Sequence, residues 1–180
     1  MQAKALRLPG RALDVLTSLP EPPSAAAIEA AVSTLVRLGA LTPAEETLTP
    51  LGRLLVELPL EPRLAKLLLL GVCFGAADEA LTIAAFLAGR SPFLVPTDPM
   101  EARFMDASKL EFADGSQSDH LAALNAYRAY FELPLGLGDP RGELAARRFL
   151  CVRTLEEMRS LKRQLLEQLA DARLLSRLPY

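Results

Sequence analysis

Tryptophan is absent from this 180-residue chain, histidine occurs once and cysteine twice. With aromatics at only 6% of the residues, base stacking has little to work with, so readout of a nucleic-acid sequence is not expected. A single histidine cannot assemble a metal cluster. Cys73 and Cys151 stand far apart, each inside an apolar stretch, which argues against a zinc site or a disulfide framework and for a reducing compartment. Isoleucine and valine are scarce, two and seven residues against 38 leucines and 28 alanines, a balance that favours helices over a large sheet. Neither sign of charge dominates: 20 basic and 22 acidic residues leave a net charge of −2, which excludes binding to nucleic acid by bulk positive charge. The longest run of apolar residues and glycine, Leu67 to Ala77, is too short for a bilayer, which needs about 20 residues, so no membrane partner is expected. No basic start, apolar middle and small-residue cleavage site open the chain. The expectation is a soluble intracellular protein, cytoplasmic or nuclear.

What is present is a succession of helical patterns separated by proline and glycine. Residues 1–19 alternate basic and apolar positions and read as an incoming linker with a short helical pattern at Ala12, Leu13, Val15 and Leu16. Pro20, Pro22 and Pro23 stop it, Ser24 is placed to cap the next helix, and the spacing of Ile28, Ala31, Val32, Leu35 and Leu38 carries that helix to Gly39. Residues 40–49 read as two very short strands around a turn, and Pro50 at the first turn of a helix carries the chain to Leu58. Helix, hairpin and helix suggest a small winged-helix module over 20–60. From Pro62 the pattern is helical throughout, an α-helical bundle over 61–173 with a tail at 174–180. Its first helix, Pro62 to Phe74, is apolar nearly all round, which predicts a central helix covered on almost every side, including at Leu68 and Leu70. Asp78 is expected to cap the next. Ser91 to Pro96 is expected to lie extended, Pro99 to Phe112 and Ser118 to Glu132 to be helical, and a last helix to carry a stripe of Leu155, Met158, Leu161, Leu165 and Leu169.

No glycine-rich loop followed by Lys and Ser or Thr is present, so the chain offers no Walker-type phosphate cradle and no catalytic site is expected. His120 reads either as a proton carrier at a helix start or as a structural residue at the bundle surface. A nucleophile built on Cys151 and His120 is outweighed by the ordinary structural role of cysteines in apolar settings. The basic residues Arg141, Arg147, Arg148, Arg153, Arg159, Lys162, Arg163 and Arg173 crowd the last third, interleaved with carboxylates. Two readings stand. One is a solvated face of mutual ion pairs; the other is a wall formed by Arg153, Arg159 and Arg163 against a nucleic-acid backbone.

Specific strings then carry a resemblance. LTPLGR at Leu48–Arg53 and LPLEPR at Leu58–Arg63 are followed by LTIAA at Leu81–Ala85, RSPF at Arg90–Phe93 and SDHLAALNAY at Ser118–Tyr127. Phe149-Leu150 and Arg153 to Leu155 complete the series. In this order they resemble the winged-helix and helical-bundle (ratchet) region of DEAH-box and RNA-helicase-A-like RNA helicases, closer in wording to the latter branch. The resemblance covers residues 18 to 172. It departs at Ala145 and Arg148, where the family often carries Cys and Asn. It implies a non-catalytic accessory region of an ATP-dependent RNA helicase, entered from an upstream RecA-like domain and ending before an OB-fold. ATP and magnesium would be held by the RecA-like domains, outside this chain. Its partners would be those motor domains, single-stranded RNA and an activator protein. The bundle would close the RNA channel, with Arg153, Arg159 and Arg163 on the backbone. The expected recognition helix, Ala25 to Leu38, has one basic residue, Arg37, which suits a hinge more than a DNA-reading head. A helical protein-interaction platform within a larger RNA-processing assembly is the alternative.

Overall fold

The computed structural model describes residues 10–134 and 138–174. The first nine residues of the expected linker segment, 1–9, and most of the tail, 175–180, lie outside them. The described residues form nine α-helices and no strand, so the chain is mainly α. Two compact units are present. One runs to Leu67 and takes in the chain again from Gln168; the other is Leu68–Glu167.

In the first unit, α1 (Ala12–Thr17) starts where Asp14 accepts the Arg11 N–H at 3.0 Å. Ser24 caps α2 (Ala25–Arg37) as expected, accepting from the Ala27 N–H at 3.3 Å. The far end of α2 closes on Gly39, whose φ of 78° lets the Ala40 N–H reach back to the Leu35 carbonyl at 2.9 Å. The expected pair of strands is reduced to a single bridge, Leu41 to Leu48. The reason is local: Glu46 adopts a left-handed φ of 51° and donates its N–H to the Thr42 carbonyl, so the turn consumes most of both arms. The Glu46 side chain is buried and accepts from the Ala12 N–H at 2.8 Å and Arg11 Nε at 3.1 Å, tying the turn to the start of α1. Thr49 caps α3 (Pro50–Glu57), accepting the Gly52 N–H at 2.9 Å while its hydroxyl donates to the Gly39 carbonyl at 2.6 Å. Lys66 donates to the Leu38 carbonyl at 2.8 Å, a cation on the last turn of α2 where the dipole favours one.

α4 (Pro62–Cys73) is a correction to the sequence reading. Ala65, Leu68 and Leu69 are buried, but Leu70 is 45% exposed, Cys73 is exposed and Phe74, just beyond the helix, is 82% exposed. One side of the helix is therefore open, although its composition marks no side as different.

In the second unit, α5 (Ala77–Ala88) begins one residue before Asp78, which lies inside the first turn instead of capping it. Its carboxylate is taken by Lys162 at 2.6 Å. The neighbouring Glu79 pairs with Arg128 at 2.5 Å. Gly71 of α4 lets α5 approach closely, since a Cβ there would overlap that of Ala80. Residues 91–96 are extended as expected: Phe93 bridges Leu150, Leu94 donates to the Phe149 carbonyl and Cys151 to the Pro92 carbonyl, both at 2.7 Å. Asp98, Ser118 and Asp139 cap α6 (Pro99–Ala113), α7 (Asp119–Glu132) and α8 (Pro140–Arg147), and α9 (Val152–Asp171) closes the series. The core of this unit gathers Phe93, Met105, Tyr127, Tyr130, Leu155 and Met158.

A backbone hydrogen bond, then the Arg128 pair, hold Glu79 below the ordinary glutamate pKa of 4.5. A depressed folded pKa contributes stability above the unfolded value that is lost as pH falls through the folded one. Both side chains are well exposed, so the effect is small. Glu79→Gln is expected to lower the melting temperature by about 2 °C at pH 7. The difference should vanish as the wild type is acidified below 4.5 and Glu79 protonates, which melting curves at several pH values check.

Candidate nucleic-acid interface

Helix α9 is amphipathic in the manner its stripe predicts: Leu155, Met158, Leu165 and Leu169 are buried and Leu161 is half-buried. The three candidate arginines consequently project from its other side, with side chains 88% (Arg153), 60% (Arg159) and 78% (Arg163) exposed. Each faces a carboxylate of the same helix. Arg153 Nε donates to Glu157 Oε1 at 2.9 Å, whereas Arg159 Nη1 lies 3.9 Å from Glu156 Oε2 and Arg163 Nε 4.0 Å from Glu167 Oε1, beyond hydrogen-bond length. Exposed pairs of this spacing contribute only about 0.3 to 0.5 kcal/mol, so the carboxylates hold these guanidinium groups weakly. A shallow depression lined by Arg153, Glu156, Glu157, Ser160, Leu161 and Gln164 lies along this face.

Three other basic residues of the last third, Arg141, Arg148 and Lys162, are used within the fold, whereas Arg147 forms an exposed pair like those of α9. Lys162 pairs with Asp78, Arg148 with Glu111, and Arg147 with Glu143 at 3.7 Å. Arg141 holds the end of α7, donating to the Phe131 and Leu133 carbonyls, both at 3.1 Å. Sequence reasoning counted Arg141 only as one of a crowd, because its acceptors are backbone atoms with no signature of their own.

Phe131 was also missed as a site residue. Its ring lies under two guanidinium groups, with Arg159 Cζ 5.1 Å and Arg141 Cζ 5.4 Å from its centroid. Tyr127 packs on it at 4.6 Å and carries Lys162 over its own ring at 5.1 Å. Burial pushes the Tyr127 hydroxyl up, partly opposed by the Arg159 charge. The available signal was the four-residue spacing of Tyr127 and Phe131 on one helix; which cations they meet depends on helices far along the chain.

His120 packs edge-on against Phe86, with ring centroids 6.2 Å apart. Cys151 stands immediately before α9, where hydrogen bonds from the Thr154 hydroxyl and backbone N–H hold its thiol below the usual pKa. Each is thus occupied locally. Among the described residues no group of three or more His, Cys, Asp or Glu is placed to hold a metal ion, and no helix is long and apolar enough to cross a membrane.

Comparison with known proteins agrees with the helical order. Residues 31–60 match the helicase associated domain (HA2), winged-helix, and residues 61–123 match the helicase associated domain (HA2), ratchet-like. The chain is 43% identical over 151 residues to the DExH-box ATP-dependent RNA helicase DExH1 of Arabidopsis thaliana, which covers 84% of this chain and 15% of that protein. It is 37% identical over 172 residues to the ATP-dependent DNA/RNA helicase DHX36 of Homo sapiens, covering 96% of this chain and 17% of the relative. DExH3 of Arabidopsis thaliana is 34% identical over 97% of this chain and 14% of its own length. The chain thus spans about a seventh to a sixth of the length of these relatives.

Proposed function

The chain belongs to the helicase-associated (HA2) family, winged-helix followed by ratchet-like, found in DExH-box ATP-dependent RNA helicases, and from that premise we propose that it closes an RNA channel and couples motor-domain movement to the strand. In this reading the RecA-like motor domains belong to the same polypeptide and hold ATP and magnesium; this chain supplies no hydrolytic group. The outward face of α9 lies along single-stranded RNA, and Arg153, Arg159 and Arg163 contact phosphates. Backbone contact suits a strand that must advance whatever its sequence. The observation that carries the reading is the exposure of these three arginines against partners weak enough to be exchanged for phosphate.

A second reading, the helical interaction platform, is favoured by one observation. Met100, Phe104 and Leu110 of α6 are exposed, although the opposite side of that helix already supplies Met105 to the core. An activator protein bound there would cover them.

The test replaces all three arginines by glutamine in the polypeptide that carries the motor domains. RNA affinity is expected to fall about ten-fold, equally for unrelated sequences. The slope of log affinity against log salt should flatten by about two, at roughly 0.7 per lost phosphate contact, while RNA-independent ATP hydrolysis stays intact. Unchanged affinity and slope, with a slight loss of stability, would assign the arginines to ion pairing alone and leave the platform reading.

A further inference from the structure

We propose that Phe131 is a positioning residue for Arg159, and that this makes Arg159 the leading phosphate contact of the three arginines on α9. The inference rests on the reading of that face as the RNA side. Its independent support is the way each guanidinium is held. A guanidinium carries its N–H donors in its plane and stacks on rings by its face. Arg159 Cζ lies over the Phe131 ring, 5.1 Å from its centroid, an electrostatic contact that commits no N–H to a carboxylate, while the Glu156 oxygen, at 3.9 Å, is too far to consume a donor. Arg153 is restrained the other way, through an in-plane hydrogen bond from Nε to Glu157 that a phosphate must break. Among the described residues Arg163 meets no aromatic ring, and Glu167 Oε1, at 4.0 Å, is beyond hydrogen-bond distance, so binding must pay for ordering a loosely held side chain.

The ring is itself fixed. Tyr127 packs on it at 4.6 Å, Tyr130 meets it edge-on at 4.9 Å, and Arg141 lies 5.4 Å from its centroid while bonding the Phe131 and Leu133 carbonyls. A fixed ring transfers that order to Arg159, which then meets a phosphate with little conformational freedom left to lose. The four-residue step from Tyr127 to Phe131 on α7 and the three-residue step from Arg159 to Lys162 on α9 bring each aromatic ring under one cation of α9, Lys162 lying over Tyr127 at 5.1 Å. Lys162 is committed to Asp78 at 2.6 Å, which leaves Arg159 as the outward-facing member of the two.

The experiment titrates a fluorescein-labelled single-stranded RNA of mixed sequence, at low salt, with the 180-residue chain and with Arg159→Ala, Phe131→Leu, Phe131→Trp and the Arg159→Ala/Phe131→Leu double variant. Thermal melting is recorded for each. Arg159→Ala is expected to weaken binding more than Arg153→Ala or Arg163→Ala does. Phe131→Leu should weaken it about two- to five-fold, the range an exposed cation–π contact supports, Phe131→Trp should retain it, and the double variant should bind no worse than Arg159→Ala alone. In proton spectra, the upfield ring-current shift of the Arg159 δ-methylene should disappear in Phe131→Leu. If Arg153→Ala, Arg159→Ala and Arg163→Ala all bind RNA like wild type, the α9 reading falls and the inference with it; if Arg159→Ala alone binds like wild type, or weakens binding no more than the other two, the inference falls while the reading stands. Loss in Arg159→Ala but not in Phe131→Leu overturns the positioning role while the reading stands. Tighter binding by Phe131→Leu also overturns it, because the ring would then sequester the guanidinium. If Phe131→Leu fails to fold, the Trp variant decides: weaker binding with a wild-type melt refutes the role, and wild-type or tighter binding supports it.

Discussion

Leu68→Asp is expected to abolish cooperative folding, whereas Leu70→Asp, two positions along the same helix, should leave a protein that melts within a few degrees of wild type. The two leucines sit in an unbroken run of four and are indistinguishable by composition. Leu68 is fully buried, so the substitution removes a packed side chain worth about 1.5 to 3 kcal/mol and takes a carboxylate out of water, which costs several kcal/mol more. Together these approach or exceed the roughly 5 to 15 kcal/mol that stabilises a domain. Leu70 is 45% exposed, so a carboxylate there keeps its water. Helical circular dichroism against temperature distinguishes the variants. Equal melts for both would mean that the burial assigned to the two faces of α4 is wrong.

Gly52→Ala is the second large effect, and its sign is the informative part. An exposed helical glycine replaced by alanine gains about 0.5 to 1 kcal/mol from reduced freedom of the unfolded chain. Gly52 lies inside α3 without a positive φ, so nothing in its own conformation calls for glycine. What calls for it is space. A Cβ at this position would overlap the Ala40 carbonyl oxygen and come within 3.1 Å of Leu48 Cδ2. The Ala40 carbonyl cannot yield easily, because it accepts the Thr49 N–H at 3.1 Å and Ala40 is fully buried. Overpacking against backbone is expected to outweigh the propensity gain and leave a net loss of about 2 to 3 kcal/mol. In a unit of this size that lowers the melting temperature by about 10 °C or more. A raised melting temperature in Gly52→Ala would show that the contact between α3 and the segment around Ala40 is looser than described.

The glycine of LTPLGR thus has a physical explanation, and so do other strings that carried the resemblance. Thr49 of LTPLGR caps α3 and, through its hydroxyl, ties that cap to the end of α2. Phe93 of RSPF and Leu150 of the Phe149-Leu150 pair, remote in the chain, bridge each other just before α9 begins.

Helix positions were legible in the sequence because their determinants are local. Ser24, Thr49 and Ser118 cap helices through side-chain oxygens a few residues from the amides they satisfy, and Pro50, Pro62 and Pro99 stand at first turns, where a missing N–H costs nothing. The buried stripe of α9 was legible for the same reason, since Leu155, Met158, Leu165 and Leu169 alternate with charge at helical spacing. That stripe also determined that Arg153, Arg159 and Arg163 face outward. Where local patterning carries no contrast, only the tertiary structure decided. The apolar run of α4 gave no means of telling Leu68 from Leu70, the arms of the expected hairpin left no measure of how much its turn would consume, and Asp78 suited a cap until Lys162 claimed it from α9. Phe131 belongs with these. Its partners Arg141 and Arg159 lie on two other helices, and long-range packing alone brings both guanidinium groups over one ring.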